Sequence, residues 1–124
     1  MLDNKTILVL DDEELLLSYL VNDLRSAGYR AFGMESKRLG LHWMKEHRPD
    51  LVISDIYSPQ MNGFEFINAL KADPDLAHTP VIVVSGAADS EAAAKAMQLG
   101  AFEVFKKPCD LKELRGAIQK ALRK

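Results

Sequence analysis

Several features are scarce or missing in this 124-residue sequence, and each absence narrows the class of protein. The single cysteine, Cys109, excludes an internal disulfide, and no cysteine pair indicates structural zinc. No apolar run approaches the roughly 18 residues that cross a bilayer, so no membrane association is expected. The N-terminus lacks the basic start and long apolar core of a signal peptide. These absences predict a cytoplasmic protein.

Charge of one sign is also scarce, since 16 Lys and Arg residues against 18 Asp and Glu residues give a formal net charge of −2. A nucleic-acid surface would be basic and clustered, so direct nucleic-acid binding is not expected. Hydrophobic residues make up 48% and charged residues 27% of the chain, which excludes disorder. The length predicts one domain over residues 1–124.

Short apolar runs alternate with amphipathic segments along the whole chain. Strands are predicted at 6–10, 29–33, 51–54, 81–84 and 102–105, the second and fifth being weaker and placed nearer the sheet edges. Helices are predicted at 13–27, 36–47, 63–71, 91–99 and 111–122. This alternation favours parallel βαβ units in an α/β fold, a three-layer doubly wound (βα)5 sandwich with one five-stranded parallel sheet.

The helical segments also carry predicted ends and inward faces. Ser36, Asp110 and either Asp89 or Ser90 are predicted N-caps. The first helix is expected to turn Ala27 inward together with its leucines, and the third helix Phe64, Ile67 and Leu70.

Polar residues follow four of the predicted strands at the edge where ligands bind in open α/β sheets. Asp11 and Asp12 follow the first strand, Asp55 the third, Ser85 the fourth and Lys107 the fifth. Three carboxylates so placed repel one another, and they need a cation, a proton or the lysine to offset the repulsion. Oxygen ligands of this kind favour Mg²⁺. Asp55 is then placed as a nucleophile that forms an aspartyl phosphate, with Ser85 and Lys107 holding the phosphoryl oxygens.

Each of these residues also has a purely structural interpretation. Asp11 and Asp12 could cap the next helix, Asp55 and Ser85 could be turn residues, and Lys107 could be a solvated charge. Their joint occurrence at one edge of the sheet favours the functional interpretation.

Five motifs in order resemble the receiver domain of bacterial two-component response regulators, over essentially the whole chain from Lys5 to Leu122. The motifs lie at 7–13 (ILVLDDE), 49–55 (PDLVISD), 59–63 (PQMNG), 84–86 (VSG) and 107–108 (KP). The resemblance implies a flavodoxin-like sheet of strand order 2-1-3-4-5. It also implies a regulatory domain, not an enzyme in the usual sense. Such a domain accepts a phosphoryl group from a histidine kinase or a phosphotransfer protein and later hydrolyses its own aspartyl phosphate.

The resemblance also assigns individual roles. Asp55 is the phosphoacceptor, while Ser85 shifts toward the phosphoryl group and Lys107 pairs with it. The metal ligands it implies for Mg²⁺ are Asp12 directly, Asp11 through water, Asp55, and the backbone carbonyl of Tyr57. The bond between Lys107 and Pro108 is expected to be cis.

The chain departs from the family where phosphorylation is coupled to the output surface of helix 4, strand 5 and helix 5. Val104 stands where the family usually has a Tyr or Phe that turns inward as the Ser/Thr moves, and valine has no such ring. Strand alternation places Phe105 on the opposite face and Phe102 on the same face as Val104, which makes Phe102 a candidate substitute. Ser58, commonly Met in the family, and Cys109, frequently aromatic, are further departures.

Two positions that tune the access of hydrolytic water in receivers are Tyr57 and Ala87, each two residues beyond a site residue. A bulky tyrosine beside a small alanine predicts that the phosphoryl group is shielded from water on one side only. The lifetime of the phosphoryl group should therefore depend more on residue 57 than on residue 87.

Two alternatives stay open. The chain could act chiefly as an interaction or dimerisation module, for instance a homodimer through helix 4, strand 5 and helix 5, with phosphorylation weakly coupled. A phosphatase of the haloacid-dehalogenase type also uses a strand-end Asp and Mg²⁺, but it needs a second acid where Tyr57 stands. The 124 residues leave no room for an output domain beside the receiver, so the chain is either a single-domain regulator or one piece of a longer protein, such as a hybrid kinase.

Overall fold

The computed structural model describes residues 5–57, 61–86 and 89–123, so Ser58 and Ala87 lie outside the described residues. Strands and helices alternate along the chain as β1 (Thr6–Leu10), α1 (Glu14–Ser26), β2 (Arg30–Met34), α2 (Lys37–His47), β3 (Leu51–Ser54), α3 (Gly63–Ala72), β4 (Val81–Ser85), α4 (Ser90–Leu99), β5 (Glu103–Lys106) and α5 (Leu111–Leu122). The five strands form one parallel sheet in the order β2-β1-β3-β4-β5. The predicted fold class and strand order are confirmed.

The sheet is covered on both faces, which explains why its central strands are apolar at nearly every position. One hydrophobic cluster joins α1 and α5 to the sheet through residues such as Ile7, Val9 and Ile53. The other joins α2, α3 and α4 to the opposite face through alternate residues such as Leu8, Leu10 and Val52. The weaker strands β2 and β5 lie at the two edges, as the sequence predicted.

Four of the five described helices, α2 to α5, begin where a side chain accepts a hydrogen bond from a backbone N–H group of the first turn. The predicted caps Ser36, Asp89 and Asp110 each accept a hydrogen bond from the first turn of α2, α4 and α5. Asn62 and Glu65 form a reciprocal capping box at α3, in which each side chain accepts a hydrogen bond from the backbone N–H group of the other residue. Among the described helices, none is long and apolar enough to cross a membrane.

The edges of the sheet and two helix faces differ from the prediction. β2 and β5 begin one residue later than expected, because edge strands are exposed in part and carry a weaker apolar signal. Ala27 is exposed because it caps the end of α1 beyond the buried face. In α3 the buried aromatic is Phe66, whereas Phe64 is half-buried at the start of the helix.

The expectation that Phe102 shares a face with Val104 is wrong. Phe102 precedes β5, so strand alternation does not extend to it, and its backbone N–H donates to the carbonyl oxygen of Val81. Both Phe102 and Phe105 pack against the α1/α5 side of the sheet, while Val104 packs against the α2–α4 side. The candidate substitution of Phe102 for the missing aromatic therefore fails.

Candidate functional site

Three carboxylates meet at the carboxyl ends of β1 and β3. Asp11, Asp12 and Asp55 can each place one oxygen so that all three oxygens lie within 4.8 Å of one another. Asp11 and Asp55 are buried, whereas Asp12 is exposed. The side chain of Asp11 accepts from the backbone N–H of Glu13 at 2.8 Å, and the N-cap of α1 is Glu13, so neither Asp11 nor Asp12 is the helix cap.

Asp55 is held rigidly where β3 ends. Its backbone N–H donates to the carbonyl oxygen of Leu10 at 3.2 Å, and its own carbonyl oxygen accepts from the Ser54 hydroxyl at 2.9 Å. Gly63, the first residue of α3, donates its N–H to the carbonyl oxygen of Ile56. A Cβ on Gly63 would lie 2.6 Å from the Asp55 carbonyl oxygen, so the absence of a side chain lets α3 begin directly beneath the site.

The Asp55 carboxylate is not free in this structure, because Lys37 forms an ion pair with its Oδ1. The two side chains are only 4% and 1% exposed. Burial raises the pKa of Asp55 above its ordinary value, Lys37 opposes this shift, and Asp11 and Asp12 add to it. Because the net shift of the Asp55 pKa is upward, this carboxyl group stays protonated to higher pH than the carboxyl group of an isolated aspartate.

Lys37 reaches Asp55 because it lies on the inward face of α2. Lys37, Gly40 and Met44 are the buried residues of that helix, at the spacing of one helical stripe. Gly40 lies against Leu10, since a Cβ at this position would come within 2.7 Å of the leucine Cδ2, and this closeness brings α2 onto the end of β1. Sequence reasoning missed Lys37, although a lysine at a core position of an amphipathic helix was a readable signal.

Lys107 binds a different pair of carboxylates. Its Nζ lies 2.9 Å from Asp11 Oδ2 and 2.6 Å from Glu13 Oε1. Burial alone would lower the pKa of Lys107, but the hydrogen bonds to Glu13 and Asp11 outweigh it and raise the pKa. Lys107 is therefore a half-buried, ion-paired cation of the site, not a solvated charge, and the bond to Pro108 is cis as expected.

The two other predicted site residues also lie at this edge. Ser85 is the last residue of β4 and is buried, and its carbonyl oxygen accepts from the N–H of Lys107 at 3.0 Å. Tyr57 is 55% exposed, and its ring packs edge-on against that of Phe64 with 6.5 Å between the ring centroids. The edge thus joins residues from the ends of β1, β3, β4 and β5, and α2 adds one lysine.

This donor set is suited to a hard divalent cation. Asp11, Asp12 and Asp55 offer only oxygen ligands, and two of the three are buried where an uncompensated charge is costly. The exposed Asp12 leaves one side of the cluster accessible from solvent.

The fold is a doubly wound α/β sandwich, and an acidic cluster lies at the carboxyl ends of its strands. These two features place the chain in the class of flavodoxin-like domains that have a polar site at this edge of the sheet. The chain belongs to the response regulator receiver domain family, which it matches over residues 7–119. It is therefore a regulatory domain of two-component signalling, a family whose partners are histidine kinases. This membership contradicts the alternative of a haloacid-dehalogenase-type phosphatase.

Individual relatives agree with this assignment. The chain is 33% identical over 116 residues to the regulatory protein AtoC of Escherichia coli, covering 94% of this chain and 25% of that protein. It is similar to a response regulator receiver domain protein of Clostridium thermocellum, with a TM-score of 0.89, 31% identity and coverage of 97% and 95%. The chemotaxis response regulator CheY4 of Vibrio cholerae superposes with a TM-score of 0.87, 26% identity and coverage of 95% and 98%. The chain thus spans about a quarter of AtoC.

Proposed function

We propose that this receiver domain accepts a phosphoryl group on Asp55 from the phosphohistidine of a histidine kinase or a phosphotransfer protein. The observation that carries the proposal is the position of Asp55: it is buried directly after β3, and Asp11 and Asp12 can bring oxygens within 4.8 Å of its own. Residues 1–124 are proposed to form one such domain, and a cytoplasmic location is part of the same proposal.

The transfer is a substitution at phosphorus. A carboxylate oxygen of Asp55 forms the new P–O bond, the P–N bond to the donor imidazole breaks, and the imidazole keeps the electron pair and takes up a proton. Hydrolysis then adds water at phosphorus, releases inorganic phosphate and restores the carboxylate. Ser85 donates a hydrogen bond to a phosphoryl oxygen, and Lys107 supplies a positive charge to it.

The residues that would hold Mg²⁺ are Asp12 directly, Asp11 through water, Asp55, and the backbone carbonyl of Tyr57. When bound, Mg²⁺ offsets the charge of the carboxylates and of the phosphoryl group. Because three carboxylates gather here against Lys37 and Lys107, phosphorylation without the cation would add negative charge to an already acidic site.

Labelling by a small phosphodonor tests this function. Acetyl phosphate with Mg²⁺ should add the mass of one phosphoryl group to the intact protein, as measured by mass spectrometry, and excess chelator should prevent the addition. Equal labelling in chelator would contradict the role of the metal, and no labelling at any Mg²⁺ concentration would contradict the function.

Tyr57 is expected to limit the access of water to the phosphoryl group. Its ring is held against Phe64 beside the site, so Tyr57→Ala should speed autodephosphorylation roughly two- to fivefold. Ala87→Glu should change the rate less, and Tyr19→Ala, which removes an exposed tyrosine of α1, is the control for the loss of a surface ring. The rates are measured as loss of label after the donor is removed, and an unchanged rate in Tyr57→Ala would refute the prediction.

A second candidate function rests on Val104. Its half-buried side chain packs on the α2–α4 side of the sheet and offers no ring that could turn inward. The domain could then act chiefly as an interaction or dimerisation module through α4, β5 and α5. Sedimentation with and without beryllofluoride and Mg²⁺ separates the two functions, because a working switch is expected to change its oligomeric state with the mimic. An oligomer that ignores the mimic would favour the second function.

A further inference from the structure

The buried ion pair between Lys37 and Asp55 occupies the carboxylate that the proposed function assigns to phosphorylation and to metal binding. Lys37 Nζ bonds Asp55 Oδ1 directly, and the lysine side chain is 1% exposed. Lys107, by contrast, is bound to Asp11 and Glu13. In these ion pairs the two lysines of the site therefore bind different carboxylates.

The position of Lys37 is unfavourable without those carboxylates. It is the first residue of α2, and the first turn of this helix contains no acidic residue. A cation near a helix N-terminus is repelled by the helix dipole, and burial removes its water. Carboxylates at the sheet edge offset both effects, so Lys37 is held in place by the site charge.

The net charge of the carboxylates and lysines at the site also affects how strongly a divalent cation binds. The site holds four carboxylates, of Asp11, Asp12, Glu13 and Asp55, and the two ammonium groups of Lys37 and Lys107, which leaves a formal charge of two negative units. Without Lys37 the formal charge would be three negative units. A metal that takes an oxygen of Asp55 must also approach an ammonium group that cannot withdraw into solvent without leaving the core.

We propose that Lys37 is a built-in cation that competes with Mg²⁺ for Asp55 and thereby weakens metal binding by the unphosphorylated domain. This inference rests on the metal site of the proposed function. The metal ligands are kept, and Lys37 sets how much Mg²⁺ is needed to fill the site.

Calorimetric titration with MgCl2 of the full chain tests the proposal directly. Lys37→Met removes the charge and keeps the length of the side chain, and Lys37→Gln removes the charge but keeps a hydrogen-bond donor should the methionine variant fold poorly. Both variants should lower the dissociation constant for Mg²⁺ by at least about tenfold. Lys45→Met removes one charge from an exposed position of the same helix and should bind as the wild type does, within about twofold.

A second readout is thermal unfolding with and without Mg²⁺. A ligand that binds only the folded state stabilises it by mass action, so the rise in unfolding midpoint at a fixed Mg²⁺ concentration should be larger in both Lys37 variants than in wild type. Equal or weaker Mg²⁺ binding by folded Lys37 variants would overturn the competition while leaving phosphorylation at Asp55 intact. If neither wild type nor variants bound Mg²⁺, the metal site would fail together with the competition.

Discussion

Asp55→Asn should abolish labelling by acetyl phosphate, with a loss of at least about 100-fold. A carboxamide oxygen lacks the negative charge that attacks phosphorus, so the acceptor chemistry is lost. The substitution keeps the size of the side chain, and its carbonyl oxygen still accepts a hydrogen bond from Lys37. The carboxamide does not neutralise the buried ammonium of Lys37, so the variant should be less stable than wild type, and circular dichroism first verifies that it folds. The measurement is intact mass after incubation with the donor and Mg²⁺.

Asp75→Asn is the matched control for this experiment. Its carboxylate is 67% exposed and forms a surface ion pair with Arg48, so the substitution removes the same charge far from the site. Labelling of this variant should equal that of wild type. Labelling of the Asp55→Asn variant at the wild-type rate would refute the assignment of the phosphoacceptor.

Gly63→Ala should have the second large effect, on stability and on labelling together. The new Cβ would lie 2.6 Å from the Asp55 carbonyl oxygen and 2.9 Å from the Ile56 Cα, and both atoms belong to backbone that cannot move without shifting the site. Overpacking of this kind destabilises a fold by about 1–3 kcal/mol. Because small displacements of a reacting group are costly, labelling should slow by roughly tenfold or more.

Gly116→Ala provides the comparison. Gly116 lies within α5, and a Cβ there would meet no atom within 4 Å apart from its chain neighbours and the nearby backbone of its own helix. Since alanine is the better helix former, this variant should gain about 0.5–1 kcal/mol and label normally. Denaturant unfolding measures both variants, and a stability of Gly63→Ala within about 0.5 kcal/mol of wild type would show that α3 adjusts at no cost.

The strands were predictable to the degree that they are buried. β1 and β3 were predicted with their observed bounds, because continuous apolar runs of this length occur where helices cover both faces of a sheet. β5 was predicted to begin one residue too early, at Phe102. Because Phe102 was counted as part of the strand, it was assigned to the wrong face of the sheet. A period of two gives the right face only where the first residue of the strand is known.

The candidate site was predictable from where polar residues fall after the strands. The sequence predicted that Asp11, Asp12 and Asp55 lie at one edge of the sheet, and in the structure one oxygen of each lies within 4.8 Å of the other two. Lys107 was expected as one of the groups that could offset the charge of the carboxylates, but its particular pairing with Asp11 and Glu13 followed from no local pattern, because it joins residues at opposite ends of the chain. Which carboxylate a long side chain reaches depends on packing that only the folded chain specifies.

Lys37 was missed for a different reason. Lysines are nearly always exposed, so the burial of Lys37 was not expected. Lys37 nevertheless lies on the same stripe as Gly40 and Met44, at the end of the helix nearest the carboxylates. A charged residue at a core position of a helix beside an acidic cluster is thus a signal for a buried ion pair.

The central claim, that Asp55 carries the phosphoryl group, is tested most directly by locating the modified residue. Borohydride reduces an aspartyl phosphate to homoserine, which peptide mass spectrometry places in the sequence. After labelling with acetyl phosphate and Mg²⁺, homoserine should be found at position 55 and at no other carboxylate. Homoserine at Asp11, Asp12 or elsewhere, with aspartate retained at position 55, would contradict the proposed function.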